Sequence, residues 1–315
     1  MSFHPLFQLV EDYLTDKDIT KESFDLYQTI LKQYTNYLIN NQIEFAKTSD
    51  VTKYIKSIKD KGYSVSWINL QLTAIKGLYR YLSDNQRRYD LPLEYAFDIT
   101  LSIKNEQSSR ENNRPLLTIE QAKQLIIKTK ENRRYIWHYR DHAMIYLMLT
   151  TGIRGVEVRR LKKKDFSVLN EQLILYVQGK GRDNADEYVK IPSGVEEAIN
   201  DYLSKREDKS PYIFVSHRKH TDKYMLSRTF FDSMFKRVLR DSGLSDLNLT
   251  PHALRHTAAT ANLLRGESLE QTRQFMRHSH VTSTMIYAHH LKEKNLDSQN
   301  ELESFILSSN ESTDK

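Results

Sequence analysis

The chain contains no cysteine. That removes disulfide frameworks, Cys-ligated metal centres and thiol nucleophiles together, and it fits a reducing compartment. Only 9 glycines and 6 prolines punctuate 315 residues, so a mostly helical architecture is expected. No apolar run approaches the ~20 residues that a membrane-spanning helix needs. The opening MSFHPLFQLVEDYL lacks the charged-then-apolar layout of a secretory signal, and a cytoplasmic location is expected. Neither a GxxxxGKS/T phosphate loop nor a GxSxG nucleophile elbow occurs, which argues against nucleotide hydrolysis and against a Ser-His-Asp hydrolase.

What is present can fill two cores: 39% of the residues are hydrophobic and 10% aromatic. A formal net charge of +6 permits a nucleic-acid partner without requiring one. Apolar residues recur at helical spacing from Leu6 to Leu14 and again from Lys21 to Ile39. A short third helix is predicted with Asp50 as its N-cap and Gly62 as its stop, and a fourth starts at Ser64 with Ile68, Leu72, Ile75, Leu78 and Leu82 inward. These predict a helical N-terminal domain over 1–104, with a further turn from Pro92. Its lysines beside aromatics suit either a solvated helix face or a DNA backbone, and Lys53 and Lys76 are the candidates for DNA contact. Residues 105–114, with no apolar side chain and no periodicity, read as a linker.

The second domain is assigned to 115–315. A capping box at Thr118 and Gln121 opens it. An apolar helix over Ala143 to Leu149 then halts at Gly152 in TTGIRGVEVRRLKKKDF, where a glycine turn after a buried helix would hold Arg154 rigidly in a cleft. Glu157 is read either as a surface carboxylate or as the partner of a neighbouring cation. Arg159 and Lys162 lead a basic run with phosphate-contacting potential. Two strands, Leu173 to Val177 and Glu187 to Ile191, flank QGKGRDNAD and predict a β-hairpin carrying Lys180 at its tip. Helices are expected at Ser193 to Lys205 and Ser227 to Asp241, the latter with Arg228 and Lys236 as further DNA-contact candidates. The fold class is therefore mainly α with a small β-hairpin, a helical domain followed by a mixed, mostly helical one.

The densest chemistry lies in TPHALRHTAATANLLRGESLEQTRQFMRHSHVTSTMIY, from Thr250 to Tyr287. With Thr250 as cap and Pro251 in the first turn, His252, Arg255 and His256 fall within about a turn of one another. Ser268 and Gln271 form a second capping box. His252 and His256 have the spacing of metal ligands, but Ala253 stands where an HExxH site needs glutamate, and Arg255 repels a cation. No metal and no cofactor are expected. Arginines for phosphate charge, histidines and a lysine for protons, and a tyrosine as nucleophile together point to phosphoryl transfer.

These motifs resemble the tyrosine recombinases, also called phage integrases, and in particular their two-domain Xer-like members. TTGIRGVEV resembles the motif of the first catalytic arginine, which places that role on Arg154 with Glu157 behind it. QGKGRD is similar to the lysine hairpin, giving Lys180. TPHALRH is similar to the histidine–arginine box, giving His252 and Arg255 with His256 in support. MRHSHVTSTMIY resembles the closing motif, giving His278 and the nucleophile Tyr287. The resemblance implies a helical core-binding domain, a catalytic domain with a C-terminal tail helix, and cleavage and rejoining of double-stranded DNA through a 3′-phosphotyrosyl link. It further implies a homotetramer exchanging strands through a Holliday junction, with a possible accessory or second recombinase, for integration, excision or dimer resolution. The tail, with Leu302, Phe305 and Ile306, is expected to dock on a neighbouring subunit or to pack on its own domain. Three departures stand out: Arg277 occupies the place of a glycine, the Lys180 hairpin is long, and, with the core-binding helices beginning almost at once, no arm-binding domain is expected. A type IB topoisomerase and a non-enzymatic DNA-binding protein are the rival readings.

Overall fold

A computed structural model describes residues 6–107, 115–179, 187–218 and 225–288. The chain divides into two compact units, Met1–Glu111 and Asn112–Lys315.

The first unit is built from α1 (Leu6–Asp16), α2 (Lys21–Asn40), α3 (Thr48–Asp60) and α4 (Val65–Asn85), followed by a 3-10 turn at Leu93–Tyr95. Hydroxyl caps set two of the starts: Thr20 accepts from the Ser23 N–H and Ser64 from the Trp67 N–H. The expected cap at Asp50 is displaced. Lys47 holds the N-cap position, and Asp50 sits three residues in, its Oδ2 accepting the Lys47 N–H at 3.0 Å. A carboxylate satisfies the orphan amides from either position, which is why the spacing misled by one turn. The helices bury Ile30, Leu31, Leu38, Ile68, Leu72, Ile75, Leu78 and Leu82. Inside that core Tyr34 pairs with Tyr79 at 3.0 Å, and the Tyr54 hydroxyl donates to Gln71 at 2.6 Å. The first residues of the expected linker pack back onto this unit, since Glu106 exchanges two 2.9 Å hydrogen bonds with Asn69 of α4.

The second unit begins with α5 (Ile119–Glu131), capped by the Thr118–Gln121 box, and α6 (Ile136–Thr151). α6 is its central element. Ala143, Met144, Ile145, Leu147 and Met148 are all fully buried along it, and it packs against α5, α8 (Ser193–Ser204) and α10 (His252–Leu264). A short α7 (Gly155–Arg160) leads into an antiparallel sheet in the order β1 (Phe166–Leu169), β2 (Gln172–Val177), β3 (Glu187–Lys190). The expected hairpin is β2–β3, in register at Tyr176 with Tyr188. The strand β1 was not expected. It pairs with β2 across Asn170 and Glu171, both at positive φ, and glutamate is a poor advertisement for such a turn. Beyond α8 come α9 (Arg228–Asp241), then α10, α11 (Leu269–Phe275) and α12 (Thr282–Ala288). Pro251 occupies the N-cap position of α10, one residue earlier than the sequence placed it. The Lys180 tip and the tail lie outside the described residues.

Candidate active site

The site is assembled around the end of α6. Gly152 adopts φ +60 and closes the helix by donating its N–H to the Met148 carbonyl at 3.0 Å. Space demands glycine as well: a Cβ there would lie 2.9 Å from Met276 Sδ and 3.2 Å from the Phe275 ring. Two residues on, Arg154 is the N-cap of α7, and Glu157 answers it twice. Oε2 accepts the Arg154 backbone N–H and Oε1 accepts from Arg154 Nη1, both at 2.8 Å. Glu157 is fully buried, so the surface reading of this carboxylate is replaced by the partner reading.

From α10, Arg255 enters the same place, almost wholly buried. Its Nη1 donates to the Gly152 carbonyl and its Nη2 to the Met276 carbonyl. The glycine that stops α6 therefore also anchors the second arginine. His256 is buried next to it and its Nδ1 lies 2.7 Å from the Tyr287 hydroxyl. His252, one turn earlier and exposed, packs its ring against His256 with centroids 4.4 Å apart.

Tyr287 is carried on α12 and is 4% exposed, packed with Ala259, Leu263 and Met276. The His278 ring lies parallel to it at 6.4 Å. His278 is fixed through Nδ1 to Thr284 Oγ1 at 2.9 Å, and its carbonyl accepts from Arg273 Nη1 at 2.6 Å. Thr284 and Arg273 are positioning groups that no motif marked.

A further cation joins these. Arg277 lies at φ +52, in the left-handed region, which costs an ordinary residue ~1 kcal/mol. Its Nη2 donates to Glu157 Oε2 at 2.7 Å, and its own carbonyl accepts from Arg154 Nη2 at 3.2 Å. The sequence marked Arg277 only as a departure from a pattern.

The electrostatics follow from burial and crowding. Burial, reinforced by Arg154 and Arg277, pushes the Arg255 guanidinium down to about 9, still protonated at neutral pH. Burial and the neighbouring Arg255, Arg154 and Arg277 push His278 down to about 4, so it is neutral in the working range. Burial alone raises the Glu157 carboxyl, but Arg277 and then the Arg154 contacts outweigh it and the net shift is downward. At neutral pH Glu157 is thus an anion holding two arginines.

The structure brings together Arg154, Glu157, His252, Arg255, His256, His278 and Tyr287. Lys180 is outside the described residues; Gly179 before it accepts from Arg160 Nη1 at 3.4 Å. The candidates for DNA contact are dispersed. Lys53 pairs with Asp50 at 3.6 Å and Lys76 donates to Asn105 at 3.1 Å. Arg159 donates to the Leu226 carbonyl at 2.8 Å, and Lys162 lies over the Tyr212 ring at 5.7 Å. Arg228 is exposed and faces Asp232 at 3.8 Å, and Lys236 is exposed on α9.

Two family models match the chain: the phage integrase family over residues 115–294, and the N-terminal SAM-like domain of phage integrases over residues 6–86. Tyrosine recombinase XerA of Pyrococcus furiosus is 27% identical, with 95% of this chain and 96% of the relative covered. Tyrosine recombinase XerC of Herpetosiphon aurantiacus is 27% identical over 88% of each chain. Among solved structures, the XerH site-specific recombinase in a post-cleavage complex with its palindromic difH substrate superposes with a TM-score of 0.73 at 20% identity, covering 94% of this chain and 84% of that one. A lambda integrase dimer bound to a core site gives 0.67 at 16% identity, covering 90% and 97%.

Proposed function

This chain belongs to the phage integrase family, and we propose that Tyr287 is the nucleophile by which it cleaves and rejoins DNA. It is a tyrosine site-specific recombinase acting on DNA. The observation that carries the assignment is the Tyr287 hydroxyl seated 2.7 Å from His256 Nδ1, in a unit where buried Arg255 is held by the carbonyls of Gly152 and Met276.

In the forward step, Tyr287 Oη bonds to phosphorus and the bond from phosphorus to the 5′-oxygen breaks. The tyrosine proton passes to His256 Nδ1, with His252 packed against that ring on its solvent side. The departing 5′-oxygen takes a proton from Lys180, leaving a 3′-phosphotyrosyl link and a free 5′-hydroxyl. Arg154 and Arg255 hold the non-bridging oxygens and offset charge in the transition state, and neutral His278 donates a hydrogen bond to the same phosphate. Rejoining is the reverse reaction with the 5′-hydroxyl of another strand. The bond energy is conserved in the link, so the cycle uses neither ATP nor a metal.

The helical unit is the core-binding half and the second unit the catalytic half. Lys53, Lys76, Arg159, Lys162, Arg228 and Lys236 are offered for phosphate contact along the duplex. Assembly is as a homotetramer on two sites, with the tail beyond Ala288 engaging the neighbouring subunit, in the cytoplasm. No helix among the described residues is long and apolar enough to cross a membrane. The test is Tyr287→Phe on duplexes selected by the parent from a randomised library. SDS-resistant protein–DNA adducts should vanish while the same duplexes stay bound; adducts that persist would remove Tyr287 from the role.

A further inference from the structure

We propose that Arg277 is a positioning residue for strand cleavage, fastening through Glu157 the guanidinium of Arg154 and, through Glu187, the strand that emerges from the Lys180 loop. The proposal rests on the reading of Tyr287 and Arg154 given above.

Two features single out this residue. First, its backbone is strained for a side chain, at φ +52, and glycine would relieve that at once. The side chain must therefore do something that its absence would forfeit. Second, it is 8% exposed and makes contacts in three directions. Nη2 reaches Glu157 Oε2 at 2.7 Å, Nε stands 3.6 Å from Glu187 Oε2, and the backbone carbonyl holds Arg154 Nη2 at 3.2 Å. Glu157 is in turn the carboxylate that accepts both the backbone and the side chain of Arg154. Arg277 also immediately precedes His278, so the arginine clamp, the hairpin strand and the turn before the nucleophile's helix meet at one guanidinium.

The arrangement is not that of a simple structural bridge. Arg277 Nε and Nη1 are buried without a hydrogen-bond partner, and three arginines share the neighbourhood of Glu157. A packing role alone would be served better by a neutral side chain in this position. The cost is understandable if the fork fixes Glu157, since Glu157 fixes the angle at which Arg154 meets a phosphate. A misplaced arginine leaves ground-state DNA binding largely intact and weakens the contact that grows in the transition state.

The experiment compares Arg277→Gly and Arg277→Lys with the parent chain, using duplexes captured covalently by the parent from a fully randomised library. Bound fraction and SDS-resistant adduct are measured separately on the same DNA. Arg277→Gly is expected to bind within about threefold of the parent and to form adduct about 10- to 100-fold more slowly. Arg277→Lys, keeping charge but losing the fork, should fall between. The pathway through Glu157 is read from a double-mutant cycle: once Glu157→Gln is in place, adding Arg277→Gly should slow adduct formation by less than about threefold. Unchanged adduct formation by Arg277→Gly would overturn the proposal. So would loss of folding or of DNA binding in step with adduct, which marks a structural role, or full multiplication of the two effects. A parent chain whose adduct survives Tyr287→Phe refutes the nucleophile instead and takes this inference with it.

Discussion

Replacing Glu157 by glutamine tests whether one buried anion holds the arginine cluster together. The substitution preserves volume and an oxygen acceptor, so no cavity opens, and the change is chiefly the loss of one charge. The carboxylate is fully buried, Arg277 is 8% exposed and Arg154 30% exposed. Removing one member of a buried pair costs about 3–5 kcal/mol. Arg154 can recover solvation through its open side, so the lower end, about 3 kcal/mol, is expected, nearly all of it from Arg277. For a unit of this size that lowers the unfolding temperature by roughly 6–12 °C. The pH dependence carries a sign. Because the folded-state value of Glu157 is depressed, its stabilisation is complete above the unfolded value of about 4.3 and is lost as pH falls through the lower folded value. The gap between parent and Glu157→Gln should accordingly be constant at neutral pH and close in acid. Urea unfolding of both chains over that range measures it. Bound duplex DNA should narrow the gap at neutral pH too, since a phosphate supplies the missing counter-charge. A neutral-pH difference under about 1 kcal/mol, or one that widens in acid, would refute the reasoning.

His256→Ala should slow adduct formation by about 10²- to 10⁴-fold with binding retained, and His252→Ala by less, because His256 is the ring at the hydroxyl; equal effects would disconnect that contact from proton transfer. Gly152→Ala should destabilise by about 2–4 kcal/mol in urea unfolding, combining a left-handed penalty with overpacking against Met276 and Phe275. The imidazole resonances of His278 should stay in the neutral position as pH falls past the ordinary histidine value and move only near about 4. The folded value lies below the unfolded one, so His278 favours the folded state above about 6.5 and withdraws that contribution as pH falls towards its folded value. A midpoint near 6.5 would contradict the packing of arginines around it.

Much of this site was legible because its side chains have narrow chemical uses. A glycine stop after an apolar helix announced a rigid Arg154, and the one-turn spacing of His252, Arg255 and His256 announced a shared helix face. What stayed hidden depends on tertiary partners. Arg255 is held by the carbonyls of Gly152 and Met276, and backbone acceptors leave no trace in residue type. The resemblance gives His252 the leading histidine role with His256 in support, whereas the fold puts His256 Nδ1 at the Tyr287 hydroxyl, a distinction that a spacing of four residues cannot make. α12 is seven residues long, too short for a periodic signal. β1 was missed because glutamate occupies one of its two left-handed turn positions. Asp50 satisfied helix amides from inside the first turn, and cap chemistry alone could not choose between the two registers.

The contrast between the two motif arginines is itself informative about how the site works. Arg154 has a carboxylate partner in Glu157, whereas the partners of Arg255 are neutral carbonyl oxygens. Carbonyls orient a guanidinium without cancelling its charge. Burial, with Arg154 and Arg277 close by, disfavours the cation, which is why its value drops to about 9, and a phosphate arriving at the site offsets that penalty. The Arg255 charge is thus kept unspent until an anion appears, and its interaction should grow as charge builds on the phosphoryl oxygens. Arg154 gives up part of its field to Glu157 in exchange for a fixed direction. On this division Arg255→Lys should hurt adduct formation more than Arg154→Lys, because a lysine ammonium cannot reach both the Gly152 and the Met276 carbonyl in the fork geometry, while at position 154 it still pairs with Glu157. Rates of adduct formation measured at saturating DNA decide it. The reverse order would show that the carbonyl fork around Arg255 matters less to the cleavage step than the orientation of Arg154 by Glu157.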